Sequence, residues 1–243
     1  HACRYIADLF DKAGIEYQIL ESAPHRANLI ARLKGDGSRK PLLLTSHLDV
    51  VPCEEDKWDV DPFSGVEKDG FIWGRGAVDM KNMTAMALTT ILKAKREGVP
   101  LKRDLIFAAI ADEEVGCTYG SKWLVENHAD LLQAEYALNE VGGFSLTVDD
   151  KVFYPIGVGE KGLCWFDVIA KGETGHGSMP HNDQAVPHVC FATHKLADEG
   201  LPHHETPLVT NFVENLAKHQ GFPKNIILKA ALKKSWSRLI LKY

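Results

Sequence analysis

Four short segments of this chain each end in an imidazole or a carboxylate, and that pattern limits the folds open to it. Leu42-Leu43-Leu44-Thr45-Ser46 leads into His47 and Asp49. Ala77-Val78 leads into Asp79, Leu105 to Ala111 into Asp112, Glu113 and Glu114, and Tyr136-Ala137-Leu138 into Asn139 and Glu140. Between these segments lie helical signals. Apolar positions recur at helical spacing over residues 4–13 and stop at Gly14, and Met83 to Arg96 is amphipathic and closed by Gly98 and Pro100. Tyr17 to Leu20 and Asn28 to Leu33 read as strands, Pro41 to Leu48 as a buried strand, and Ser121 to Asn127 as a helix. Strands that alternate with helices predict an α/β fold with a mostly parallel sheet flanked by helices.

The pattern changes near Pro155. Residues 1–155, which hold all four of these segments, are expected to form one α/β domain and 156–243 part of a smaller α+β domain. In the second part Gly162 to Ala170 reads as a strand, Gly172 to Pro180 as a glycine-rich loop, and Ala185 to Asp198 as a helix. Leu208 to Lys218 and Ile226 to Leu241 are further amphipathic helical candidates.

Composition removes several classes. A net charge of −5 gives no reason to expect nucleic-acid binding, and Lys233 to Arg238 is a short basic helix face. No apolar run approaches the roughly 20 residues of a membrane span. The five cysteines are odd in number and lack CxxC spacing, which argues against a disulfide framework and a cysteine–zinc site. Cys117, three positions after Glu114, could approach a metal. Reduced cysteines and the lack of a visible leader point to a cytoplasmic location, although the chain starts at His1 inside a helical pattern.

Imidazole nitrogen and carboxylate oxygen suit a divalent metal such as zinc, and cobalt or manganese accept similar donors. On a strand His47 and Asp49 share a face, so Asp49 is placed to orient the imidazole. Each residue also has a plainer reading: His47 as a strand-end histidine, Asp79 as a helix N-cap, Asp112-Glu113-Glu114 as a solvated acidic loop. Their joint arrival at strand ends, where ligands gather in open α/β sheets, favours metal binding.

The ordered segments His47-Leu48-Asp49-Val50-Val51-Pro52, Trp58…Asp61-Pro62-Phe63, Gly74-Arg75-Gly76-Ala77-Val78-Asp79-Met80-Lys81 and Glu113-Glu114…Gly116…Gly120 resemble the M20 family of co-catalytic zinc peptidases. The resemblance implies a hydrolase that cleaves an amide bond next to a free carboxylate, in a small peptide or an N-acyl amino acid. It implies two zincs per complete site. His47 and Glu140 would hold one, Glu114 the other, and Asp79 would bridge them. Glu113 would be the general base that activates the attacking hydroxide, with Asp49 orienting His47. The Asp79–Met80 peptide is the candidate for a cis bond. Gly175-His176-Gly177-Ser178 resembles a loop of the family's lid domain, so His176 would stabilise the oxyanion in the partner of a homodimer formed through that domain.

Family members carry a further metal-ligand His downstream, and an Arg or Asn that grips the substrate carboxylate. Neither is found before Tyr243. The chain is therefore expected to correspond to roughly the first half of a family member and to be weakly active or inactive alone. The alternative is a non-catalytic remnant that dimerises or binds ligand.

Overall fold

A computed structural model of the chain describes residues 1–140, 142, 144–159, 162, 164–179, 181–199, 204–233 and 236. It divides into two compact units, His1–Gly142 and Gly143–Tyr243. The change of sequence pattern lies near residue 155.

The first unit opens with α1 (Ala2–Ala13), whose Cys3, Ile6, Ala7 and Phe10 are buried at helical spacing. Gly14 ends it with φ of 62°, a left-handed cap that glycine adopts without steric cost. Strands β1 (Tyr17–Ala23) and β2 (Arg26–Leu33) follow as an antiparallel pair, then β3 (Leu42–His47). A long connection holds a small hairpin, β4 (Glu67–Lys68) and β5 (Phe71–Ile72), and an irregular turn at Ala77–Lys81. Next come α2 (Asn82–Arg96), β6 (Leu105–Ile110), α3 (Ser121–Asn127), α4 (Ala129–Leu132) and β7 (Tyr136–Leu138).

The main sheet has the order β1-β2-β6-β3-β7. β6 pairs in parallel with β3, and β3 with β7, while β2 runs antiparallel to both of its neighbours. All its strands except β2 therefore run the same way, as the α/β reading expects.

Helices cover both faces. Alternate residues of β6 point to opposite sides. Leu105, Phe107 and Ala109 join the buried residues of α1 and α2, whereas Ile106 and Ala108 pack with Leu124 of α3. Phe10 meets Phe107 edge to face, with ring centroids 5.4 Å apart. Truncating so buried a ring to alanine costs about 3–5 kcal/mol. Because β3, β6 and β7 are parallel, their C-terminal ends lie along one edge of the sheet. The segments leaving that edge carry Asp49, Glu113, Glu114 and Glu140.

The second unit contains the hairpin β8 (Leu146–Val148) and β9 (Lys151–Phe153) and the helices α5 (Ala185–Glu199), α6 (Pro207–Lys218) and α7 (Lys224–Ala231). Thr206 caps α6 by accepting the Val209 N–H, with Pro207 in the first turn, where its missing N–H costs nothing. Two expectations are corrected. Among its described residues, Gly162 to Ala170 forms no strand, and Trp165, Phe166 and Ile169 are exposed. An apolar run alone does not make a strand without a neighbour to take its hydrogen bonds. α7 ends at Ala231, and most of the rest of the expected helix to Leu241 lies outside the described residues. Pro180 and His203 are also outside them.

Candidate metal centre

His47 ends β3 with 1% of its surface exposed. Its Nδ1 lies 3.0 Å from the carbonyl oxygen of Asp49, which can only accept, so Nδ1 carries the proton in the neutral ring. The lone pair of Nε2 then faces Asp79 Oδ1 at 2.9 Å, one acceptor against another. Glu140 Oε2 is 3.7 Å and Glu113 Oε2 3.8 Å from the same nitrogen. Such an arrangement is stable only with positive charge among the acceptors, either a proton on Nε2 or a bound cation.

Two sets of ligand atoms are close enough to share an ion: His47, Asp79 and Glu114, and His47, Glu113 and Glu140. Each set mixes one imidazole with two carboxylates, the hard-to-borderline donors that suit zinc, cobalt or manganese. These residues fit a divalent metal. Cys117 belongs to neither set; its Sγ is 3.9 Å from the Glu113 carbonyl.

Several local features put these side chains in place. Gly76, with φ of 81°, opens the turn that delivers Asp79, and a Cβ there would come within 2.4 Å of Val50 Cγ1. The Asp79–Met80 peptide is cis. Lys81 Nζ donates to the Leu48 carbonyl at 2.8 Å, tying the turn to the end of β3. The Asp49 carboxylate is 3.5 Å from His47 Nδ1, but its shorter contacts are to the other loop. It accepts the N–H of Glu113 at 3.1 Å and of Glu114 at 3.0 Å. Asp49 thus orients the imidazole mainly through its carbonyl and the two glutamates through its carboxylate. Asp112 turns away from its acidic neighbours with φ of 68°, and its Oδ1 lies 3.4 Å from Arg26 Nε.

The electrostatics follow from this crowding. Burial opposes charging His47, but the Asp79 hydrogen bond, the Asp49 carbonyl and the nearby carboxylates outweigh it and raise its pKa. Burial raises Glu113 and Glu140, the surrounding carboxylates add to the rise, and His47 opposes it. Burial lowers Lys81, with Asp49 partly offsetting.

His176 lies in the second unit, where its Nδ1 is 2.8 Å from Ser178 Oγ. No helix among the described residues is long and apolar enough to cross a membrane.

Known proteins resemble the chain in sequence and fold. Residues 43–230 match peptidase family M20/M25/M40. An N-fatty-acyl-amino acid synthase/hydrolase of Bos taurus is 33% identical over 233 residues, 90% of this chain and 44% of that protein. Aminoacylase-1 of Sus scrofa is 33% identical over 188 residues, 76% of this chain and 45% of that protein. The chain thus spans less than half the length of these relatives. An M20 family metallo-carboxypeptidase from Sulfolobus solfataricus shares the fold, with a TM-score of 0.51 at 21% identity over 58% of this chain and 32% of its own. The chain belongs to peptidase family M20/M25/M40.

Proposed function

We propose that the first unit is the metal-binding domain of an amidohydrolase that cleaves an amide bond next to a free carboxylate, in a small peptide or an N-acyl amino acid. The observation that carries this reading is the His47 Nε2 lone pair facing Asp79, with Glu113 and Glu140 close to the same nitrogen. The names of two relatives, an N-fatty-acyl-amino acid synthase/hydrolase and an aminoacylase, support the substrate class.

His47 and Glu140 would hold one metal, Glu114 a second, and Asp79 would lie between them; zinc is the expected ion. Divalent metal at such a site supplies Lewis acidity and lowers the pKa of water. The protein moves the proton. Glu113 takes one from the attacking water as the new C–O bond forms, then gives it to the amine nitrogen as the C–N bond breaks. Glu113 returns to its starting charge, and the second proton of the water passes from the new carboxyl group to the released amine, so the products leave as a carboxylate and an ammonium. A carboxylate raised by burial suits both halves of that task. Asp49 fixes the backbone from which Glu113 projects. We assign the second unit to the lid of a homodimer and His176 to oxyanion stabilisation in the partner.

The test is Glu113→Gln in a full-length protein that contains this chain, assayed on dipeptides and N-acyl amino acids with metal content measured alongside. Turnover should fall by about 10²–10⁴-fold with metal retained. Unchanged turnover would refute the role of Glu113, and metal lost together with turnover would make it a ligand.

A further inference from the structure

Behind the acidic loop the molecule is polar where a central sheet is usually apolar. Asn28, in β2, has no exposed surface, and Asp112, just past β6, is 3% exposed. Backbone pairing between β2 and β6 ends at Leu29 and Ala109. Beyond that point a side chain takes over. Asn28 Oδ1 accepts the Ala111 N–H at 2.9 Å, and Nδ2 donates to the Tyr119 carbonyl at 3.0 Å and the Leu20 carbonyl at 3.4 Å. Asp112 Oδ2 accepts the Tyr119 N–H at 3.0 Å. One buried carboxamide therefore closes both ends of the loop 111–119, and both backbone groups of Tyr119 are gripped. Glu113 and Glu114 stand between those ends, with Asp49 holding their amides.

We propose that Asn28 is a positioning residue for the metal centre: it sets the loop 111–119 before any metal arrives, so that Glu113 and Glu114 are presented with little rearrangement. The inference rests on the reading of those two glutamates as site residues. It deepens that reading, because Asn28 touches neither. Position 28 needs an amide, since one side chain must accept from an N–H and donate to a carbonyl. Aspartate offers acceptors only, and serine is too short to span both groups. The Tyr119 carbonyl also accepts from Ser22 Oγ; Asn28→Asp would set a buried carboxylate against that carbonyl, and Asn28→Ser would leave the Ala111 N–H without its partner, each costly enough to shift the loop.

The experiment is amide hydrogen exchange on the full chain, metal-free and with cobalt(II), paired with cobalt titrations of Asn28→Asp and Asn28→Ser. The proposal expects the Ala111 and Tyr119 amides to exchange slowly in the metal-free protein already. Fast exchange that slows only when cobalt is added would overturn it. For variants folded well below their melting temperature, it expects cobalt binding about 10- to 100-fold weaker, with a changed visible spectrum. Wild-type affinity and spectrum would overturn it. If neither variant folds, the exchange data decide. If the wild-type chain takes up no cobalt, the metal reading fails, while the exchange data still decide whether the loop is preset.

Discussion

His47 has a buried ring, one nitrogen committed to a backbone carbonyl, and the other aimed at a carboxylate. In the metal-free chain that ring holds a proton above its ordinary pKa, because the surrounding acceptors outweigh burial. A metal bound there would have to displace that proton. Glu113 and Glu140, raised mainly by burial, also keep protons to a higher pH than usual. All three shifts act in one direction: metal affinity falls as pH falls through the raised values. Zinc affinity, measured against a competing chelator, should weaken between about pH 8 and about pH 6, with protons released on binding. An affinity flat across that range would contradict the coupling. At this scale much of the site can be read from sequence, because His47, Asp79, Glu113, Glu114 and Glu140 are reactive residue types that follow apolar runs. Asn28 cannot, since its partners Ala111 and Tyr119 are 83 and 91 residues away and it reads only as part of a strand. Residue type alone does not separate Asp112 from Glu113; only the resemblance does. The backbone turn at Asp112 shows that one acid braces the loop while the next faces the imidazole.

Elements place these residues, and Asp104 marks where two of them join. It precedes β6 and accepts the Gly35 N–H at 2.9 Å, with Arg32 and Lys34 of the β2 side each at 3.1 Å. Burial alone would raise its pKa, but the Gly35 amide and the two cations overcome that and lower it. A folded-state pKa below the unfolded value stabilises the fold above about pH 3.9, and the contribution is lost as pH falls through the folded value. Lys34 is 75% exposed, so solvent screens most of its share, and the Gly35 and Arg32 bonds dominate. Asp104→Asn should therefore cost about 1 kcal/mol in urea unfolding at neutral pH and almost nothing at about pH 2. An equal loss at both would contradict the assignment. Elements are legible where their own residues carry the signal: Cys3, Ile6, Ala7 and Phe10 define a buried helix face before any partner is known. Gly162 to Ala170 shows the limit. Its apolar run suits a strand, as that of β3 does, but a strand depends on a neighbouring edge that its own residues do not encode.

In the whole chain, the described metal-ligand candidates fall within one compact unit, His1–Gly142, on segments leaving one edge of its sheet. That unit carries the five-stranded sheet and the donors for a metal, while the chain spans less than half the length of its curated relatives. Catalysis by a complete protein and assembly through the second unit are proposals built on that centre. The most direct test of the centre is equilibrium dialysis of the full chain against dilute zinc, followed by elemental analysis, with Asp79→Ala run in parallel. Stoichiometric zinc is expected on the wild-type chain, and its loss from the Asp79→Ala variant with the fold intact by circular dichroism. A wild-type chain without zinc, or a variant that keeps the full complement, would contradict it.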